Sequence, residues 1–402
     1  MSARSYLVVA AVVWACLSMA CIALSVFADP YRMFATPAIP GLTALKPRIY
    51  EQAALAKTYQ LERVRPRTLL LGNSRVENGF DPQSEVWPKS WQPVFNAGLA
   101  GEDLFMAWRM LQEAVAAGPV KNVIVAVDFP DFLTQPVPGG PPLPAISDDE
   151  RRLLVARSGG KNAARQLQVW RDRMASTLTI DALTDSLITL ADQNPDASVT
   201  MRRQGFNPLH EYAADIANIG YHGLFAQKIA AYRERFKTYP HPDFSRPTQI
   251  EDFTYLVRII HTAAERHDRL ILFIPPYHQT LLGIIDDTGL WLEFESWKRA
   301  LVRVVETQKR SLGLTARDIE LVDFSGYNAY TMEPVPAKND LHAQTRWYWE
   351  PGHYKASLGD VVLARLISGT GDFGYLLTPD TIEETLARER LSAVPSQRQA
   401  TH

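Results

Sequence analysis

The chain has 402 residues, 46% of them hydrophobic and 21% charged, which is enough material for one large or two ordinary globular domains. Its formal net charge is -2, so no global positive field attracts nucleic acid or an anionic membrane surface, and we predict no nucleic-acid partner. The only cysteines are Cys16 and Cys21, near the N-terminus, and no histidine cluster has the spacing of a zinc site. We therefore predict no disulfide in the rest of the chain, no metal and no cofactor.

The first predicted element is an uncharged run over residues 5–28, long enough as a helix to cross a bilayer at about 1.5 Å per residue. Arg4 precedes it, and the positive-inside tendency keeps that end in the cytoplasm. Two alternatives remain open: a signal peptide cleaved after Ala28, and a lipoprotein attached at Cys21. Because the apolar run is longer than a signal-peptide core and continues past the cysteine, we predict an uncleaved membrane anchor.

Residues 29–67 form a proline-punctuated connecting region that ends in a predicted helix at about 49–62. Beyond it, short apolar runs alternate with stretches whose apolar residues recur at helical spacing. The predicted strands are 68–72, 93–96, 122–128, 270–274 and 319–322. Strands that alternate with helices favour an α/β fold with a mainly parallel sheet of about five strands covered on both faces.

Two segments fall outside this alternation. Residues 133–245 predict an inserted, mostly helical region between the third and fourth strands, and residues 370–402 are a C-terminal tail that follows the closing helix. The predicted main domain therefore covers residues 68–369, with the insertion inside it.

Five polar or glycine residues come directly after predicted strands. Because ligands bind beside the carboxyl ends of the strands in such sheets, these residues are expected to share one edge of the sheet. They are Ser74, Gly98, Asp128, Tyr277 and Asp323.

A serine at such a turn is a plausible nucleophile if the chain also supplies a base and a carboxylate that fixes the imidazole tautomer. The segment Glu350-Pro-Gly-His353 offers both in one short loop. We predict Ser74 as the nucleophile, His353 as the general base and Glu350 as its orienting carboxylate. Oxyanion donors would be the backbone N–H groups of Ser74 and Gly98, where the absence of a side chain permits close approach.

With these residues the sequence resembles the SGNH (GDSL-like) hydrolase superfamily. Gly72-Asn-Ser74 is similar to the family's first block, Asn96-Ala-Gly98 to its second and Glu350-x-x-His353 to its last, which is normally Asp-x-x-His. The resemblance implies a flavodoxin-like parallel sheet, a serine nucleophile, an oxyanion-binding glycine and a histidine base.

More narrowly, the anchor followed by Asp29-Pro-Tyr31 resembles membrane-anchored SGNH-like proteins of bacterial surface polysaccharide systems, a group that includes alginate O-acetylation proteins. The resemblance implies an inner-membrane protein with a periplasmic domain that moves acetyl groups onto or off a polysaccharide. A transferase would need a multi-spanning acyltransferase partner, because one helix cannot conduct an acetyl donor across the membrane.

Two departures from the family pattern matter. The third block usually supplies an asparagine to the oxyanion hole, but this chain has Asp128, whose charge would oppose an oxyanion and whose other expected role is to cap a turn. Asn73 is the candidate that would compensate. Glu350 replaces the usual aspartate, which Ser-His-Glu triads tolerate.

Further candidates surround these positions. Arg75 either binds substrate or pairs with Glu77, and Asp128 is a further possible substrate contact. Tyr277 and His278 are also possible substrate contacts, and His278 is an alternative base. Asp323 is an alternative partner of His353. Three aromatic residues near His353 predict either a sugar-stacking platform or simple loop packing, namely Trp347, Trp349 and Tyr354. The rival hypothesis is a non-catalytic SGNH-like scaffold that binds polysaccharide or assembly partners.

Overall fold

A six-stranded sheet lies at the centre of the structure, a computed structural model that describes residues 2–140, 142–194 and 201–399. The strands are β1 Thr68–Leu71, β2 Val94–Asn96, β3 Asn122–Ala126, β4 Arg269–Ile274, β5 Ile319–Asp323, β6 Tyr348–Glu350, β7 His353–Tyr354 and β8 Tyr375–Leu376. The sheet order is β2-β1-β3-β4-β5-β8, and β6 pairs only with β7. The first five strands are parallel and follow the order 2-1-3-4-5, which is that of flavodoxin-like sheets.

The helices cover both faces of this sheet. They are α1 Ala3–Ala28, α2 Ala53–Val64, α3 Ser74–Gly79, α4 Leu104–Ala117, α5 Asp148–Arg152, α6 Arg165–Leu178, α7 Ile180–Ala191, α8 Tyr212–Lys237, α9 Glu251–Glu265, α10 Gln279–Asp287, α11 Trp291–Leu312, α12 Ala356–Ser368 and α13 Ile382–Gln399. Helices α4, α9 and α11 bury one face of the sheet, and α3 and α12 bury the other. The continuous apolar strands β1 and β3 are buried on both faces because each lies between two such layers.

The predicted α/β class with a mostly parallel sheet is confirmed, but the sheet has six strands rather than about five. The extra strand is β8, which pairs antiparallel with β5 and comes from the predicted tail. It has only two residues, too few to show a period of two in the sequence. Residues 141 and 195–200 of the predicted insertion and residues 400–402 of the predicted tail lie outside the described residues.

Helix α1 is long and apolar enough to cross a membrane, although a signal sequence at the N-terminus passes the same test. Its C-terminal end contacts α6 and α7, which belong to the segment between β3 and β4. That segment also holds α5 and α8, and α8 contains a kink at Gly220, whose φ of 65° is not helical.

Two glycines allow α3 and α12 to lie unusually close together. A Cβ on Gly359 would overlap the carbonyl oxygen of Gly79, and a Cβ on Gly79 would overlap the ring of Tyr354. Since Ser74 begins α3 and His353 precedes α12, this contact sets how close the two residues come.

We expect Gly359→Ala to lower the free energy of unfolding by about 1–3 kcal/mol, because the added methyl group forces the two helices apart. Denaturant unfolding of the full chain measures the change. The matched control is Gly283→Ala in α10, where nothing lies within 4 Å of the added Cβ and where alanine favours the helix. Equal stability of the two variants would contradict the close contact.

Candidate active site

Ser74 lies at the turn between β1 and α3, at the carboxyl edge of the sheet. Gly72 precedes the turn with a φ of 145°, and a Cβ there would meet the side chains of Val76 and Ala126. Asn73 caps α3, because its Oδ1 accepts a hydrogen bond of 3.1 Å from the N–H of Arg75. The strand therefore stops abruptly and leaves the Ser74 hydroxyl half-buried at the edge.

The hairpin of β6 and β7 supplies the other two groups. Its register places Glu350 opposite His353, so the two side chains lie on the same side of the turn. His353 Nε2 lies 2.7 Å from Ser74 Oγ, and His353 Nδ1 is hydrogen-bonded to Glu350 Oε1. The N–H of Gly352 donates to Glu350 Oε2 at 3.0 Å. The structure thus brings together the serine, histidine and glutamate that the sequence indicated.

Electrostatics keep Glu350 ionised although it is fully buried. Burial alone would raise its pKa, but the charge and hydrogen bond of His353, the Gly352 N–H and the charge of Arg75 together hold the pKa below its usual value. A carboxylate in this state fixes the His353 tautomer with Nε2 facing Ser74 and stabilises an imidazolium when one forms.

A buried ion pair between Arg75 and Asp128 lies under this site. Asp128 also accepts hydrogen bonds from Asn73 Nδ2, at 2.6 Å, and from the Tyr277 hydroxyl. The expectation that Arg75 pairs with Glu77 is wrong: Glu77 pairs with Lys57 at 2.8 Å. These charges neutralise each other within the protein, so Arg75 does not present its charge to substrate.

This network also corrects the expected role of Asp128. Its side chain does not cap the turn that follows β3, and its charge does not face the site unpaired, because Arg75 and two neutral donors bind it. Burial raises the pKa of the neighbouring Asp131, and the charge of Asp128 adds to that rise.

Two predicted oxyanion donors are already occupied. Asn73 directs its Nδ2 at Asp128 and, at 3.3 Å, at Asp131, so both amide hydrogens are used. The N–H of Gly98 donates to Asn96 Oδ1 at 3.0 Å, and Gly98 packs beneath the first turn of α3. Both expectations are therefore wrong for this structure, in which these groups hold the turn rather than face the serine.

The N–H of Ser74 remains as a donor. Within the part of the chain that the structure describes, it donates no hydrogen bond. It belongs to the first turn of α3, where N–H groups have no partner inside the helix. An oxyanion formed at Ser74 would meet this group first.

His278 and Asp323, the predicted alternatives to His353 and Glu350, have other contacts in the structure. His278 is fully buried, its Nε2 lies 2.8 Å from the Glu333 carbonyl oxygen, and its Nδ1 accepts from the Thr280 N–H. Burial lowers its pKa to about 4, so it stays neutral and structural rather than acting as a base or contacting substrate. Asp323 pairs with buried Lys298 at 2.7 Å and does not orient His353.

Buried Tyr277 is likewise no substrate contact, because its hydroxyl is bound to Asp128 and to the Phe129 N–H. Tyr354 is buried against Phe80, which contradicts a role in stacking on sugars.

The two tryptophans of the hairpin differ. Trp347 packs on Tyr330, and the Arg346 guanidinium covers its ring at 4.2 Å from the centroid, so it forms part of the loop packing. Trp349 is half-buried: its ring stacks on Tyr221 with centroids 6.5 Å apart, and Lys355 Nζ lies 4.7 Å from its centroid. Unlike Trp347, it also lines a surface groove of about 480 Å³. Trp349 and Glu350 are neighbours in strand β6, so their side chains point to opposite faces of the hairpin, and none of Ser74, His353 and Glu350 lines the groove.

Tyr232 is a candidate that the sequence did not reveal. It comes from α8, in the inserted segment, and a Cβ on Gly352 would overlap its hydroxyl oxygen. The hydroxyl has no hydrogen-bond partner among the described residues, and burial followed by the charge of Glu350 raises its pKa. No local motif marks this residue, since only the folded chain places α8 over the β6–β7 turn.

We expect Asp128→Asn to lower the free energy of unfolding by about 3–5 kcal/mol, because it leaves the Arg75 charge buried without its partner. Denaturant unfolding measures the loss. The control is Asp287→Asn, which removes an exposed ion pair with Arg233 and should leave stability nearly unchanged. A loss no larger than that of the control would show that Asp128 does not hold Arg75.

Comparison with known proteins adds no family to this geometry. No family model matches the chain, and none of the curated proteins matches it. The described residues also contain no group of three or more His, Cys, Asp or Glu side chains that could hold a metal ion. The assignment of a function therefore rests on the arrangement of Ser74, His353 and Glu350.

Proposed function

We propose that this protein is a serine-dependent O-acetyl esterase or acetyltransferase with an SGNH-like fold. The observation that carries the proposal is the hydrogen-bonded chain from Ser74 Oγ through His353 to buried Glu350. Its position at the carboxyl edge of a sheet in the order 2-1-3-4-5 also supports it.

The first half of the reaction forms an acyl-enzyme. Ser74 Oγ attacks the acetyl carbonyl carbon while His353 Nε2 takes the hydroxyl proton, and Glu350 stabilises the resulting imidazolium. The tetrahedral intermediate then collapses, the bond to the leaving alcohol breaks, and His353 returns the proton to that alcohol.

The second half releases the acetyl group. His353 takes a proton from the acceptor, whose oxygen attacks the acyl carbon. The bond to Ser74 Oγ then breaks, and His353 returns the proton to Ser74 Oγ. Water as acceptor yields acetate and makes the protein an esterase, whereas a sugar hydroxyl yields an acetylated sugar and makes it a transferase.

Two groups are available to stabilise the oxyanion. The Ser74 N–H is one, and we assign the Tyr232 hydroxyl as the second, since it lies against the Gly352 turn without a partner among the described residues. A side-chain hydroxyl would then replace the asparagine and glycine donors that the family pattern implies.

The surface groove at Trp349 supports a polysaccharide as substrate. Trp349 lines this groove with Arg202 and Lys355. Arg202 donates to Asp81, and Lys355 donates to the Tyr221 hydroxyl and the Thr345 carbonyl oxygen, so their remaining N–H groups are the donors left for sugar hydroxyl or carboxylate groups. In this proposal α1 anchors the protein in the inner membrane, the domain lies in the periplasm, and a multi-spanning acyltransferase supplies acetyl groups to the transferase form.

A second candidate is a non-catalytic scaffold that holds polysaccharide in the same groove. The observation that favours it is the occupation of Asn73 and Gly98, which leaves fewer free oxyanion donors than the family pattern implies. Turnover separates the two proposals.

We expect the purified full chain to hydrolyse an activated acetyl ester, and Ser74→Ala and His353→Ala each to lower kcat/KM by about 10³-fold or more, because each removes a member of one catalytic unit. Spectrophotometric release of the leaving group measures this. Ser311→Ala, at the exposed end of α11, is the control and should match the wild type. Wild-type protein with no turnover but with polysaccharide affinity would favour the scaffold.

We expect Tyr232→Phe to lower kcat by about 10²-fold with little change in KM, because an oxyanion donor acts mainly in the transition state. The same ester assay gives both constants. Tyr375→Phe in β8, at the far edge of the sheet, is the control. An unchanged kcat for Tyr232→Phe would remove Tyr232 from the oxyanion site.

A further inference from the structure

A basic cavity of about 320 Å³ lies where α1 ends. Its lining residues include four cationic side chains, Arg32, Lys46, Arg63 and Arg203, and one carboxylate, Asp29. Among the described residues that line it, cationic side chains outnumber carboxylates by four to one, in a chain whose net charge is -2. This concentration of charge is therefore a local feature.

The carboxylate of Asp29 is hydrogen-bonded to the loop that follows α1. Asp29 accepts hydrogen bonds from the N–H groups of Phe34, at 3.1 Å, and Thr36, at 3.2 Å, and from the Thr36 hydroxyl. It therefore holds the backbone that follows α1.

The arginines are held by neutral groups. Arg63 donates to the carbonyl oxygens of Met33, at 3.2 Å, and Arg32, and Arg32 Nη2 donates to the Ala44 carbonyl at 3.5 Å. Arg32 Nε is buried without a partner, and Arg203 is exposed and makes no ion pair, both within the described part of the chain. The guanidinium groups are thus positioned but not neutralised.

Burial and repulsion from neighbouring positive charges destabilise the charged forms of Arg32 and Lys46. Burial and the charges of Arg203 and Arg63 lower the pKa of Arg32 to about 10. Burial, with Arg32 and Arg203, lowers the pKa of Lys46 to about 8 despite the attraction of Asp29. A bound anion would relieve this repulsion.

The cavity lies close to the level at which α1 would leave a membrane. Helix α1 ends at Ala28, whose carbonyl oxygen accepts from Lys46 Nζ. Helices α6 and α7 pack beside α1 and form a hairpin whose tip is Leu178 to Ile180. The tip is apolar and exposed: Ile180 is 83% exposed.

The ends of the hairpin away from the tip are fastened to the domain. Arg165 at the start of α6 pairs with Glu62, and Gln193, just beyond the end of α7, exchanges hydrogen bonds of 3.0 Å with the backbone of Leu45. Asp185, near the middle of α7, also accepts from the Tyr31 hydroxyl at 2.6 Å. The tip therefore projects from the domain beside α1, and at about 1.5 Å per residue it lies several ångströms beyond Asp185. Trp170 on α6, which is 59% exposed, suits the interface between lipid and water.

We propose that the basic cavity binds the phosphate group of an anionic membrane lipid while the apolar tip of the α6–α7 hairpin inserts among the acyl chains. The inference rests on the proposed anchoring of the chain by α1. Arginine guanidinium groups suit phosphate oxygens, and a headgroup at the end of α1 would lie within their reach.

The test measures lipid binding by the full chain, purified in a non-ionic detergent, with native mass spectrometry. The probes are phosphatidylglycerol, phosphatidylcholine and glycerol phosphate. We expect phosphatidylglycerol to bind more tightly than the other two, and Arg203→Gln to weaken it about fivefold, the amount that one basic residue contributes near a membrane surface. Arg233→Gln, an exposed arginine of α8, is the matched control and should leave binding unchanged.

Three results would overturn the proposal. Equal affinity of the Arg203 and Arg233 variants would remove the cavity as the site. Equal affinity for phosphatidylcholine would show that the negative headgroup is not recognised. Glycerol phosphate binding as tightly as phosphatidylglycerol would assign the cavity to a soluble phosphate ester instead.

The readout is independent of acyl transfer. Ester turnover by the Arg203 variant should equal that of the wild type, so loss of lipid binding and failure of the proposed enzyme activity are distinguished. Intact mass of the membrane-extracted chain reports whether α1 is retained, which separates failure of the anchor from failure of the lipid site.

Discussion

The site depends on the close contact between α3 and the segment formed by the β6–β7 hairpin and α12. Ser74 and His353 are 279 residues apart in the sequence, yet their reacting atoms lie 2.7 Å apart. Gly79, Gly359 and Tyr354 meet at van der Waals distance only because neither glycine carries a side chain. A tightly packed contact of this kind has little freedom to relax, so it fixes the relative position of nucleophile and base.

The buried ion pair of Arg75 and Asp128 stabilises the turn between β1 and α3 that carries Ser74. Arg75 neutralises Asp128, which stands where the SGNH pattern that the sequence resembles has an asparagine. The Asn73 amide and the Tyr277 hydroxyl also donate hydrogen bonds to Asp128. A buried carboxylate held by three donors has little freedom to move. These bonds therefore hold the turn that carries Ser74.

Much of the fold and part of the site could be predicted from the sequence. Long apolar strands and helical periodicity are local signals, and they predicted the parallel sheet. The base and its carboxylate were predicted from the spacing of Glu350 and His353 in one short loop and from the resemblance to the SGNH pattern. The expected pairing of Arg75 with Glu77 failed because it relied on nearness in the chain, whereas burial in the folded protein pairs Glu77 with Lys57. Tyr232 could not be found in this way, since its place over Gly352 depends on packing of a distant helix.

The central claim is that Ser74 is an activated nucleophile. The most direct test is the reaction of the full chain with a fluorophosphonate, in which an activated serine oxygen bonds to phosphorus and fluoride leaves. We predict one adduct per chain, located on the Ser74 peptide by mass spectrometry and formed far more slowly in Glu350→Gln. No adduct on Ser74 in the wild type, or one whose rate is unaffected by Glu350→Gln, would contradict the claim.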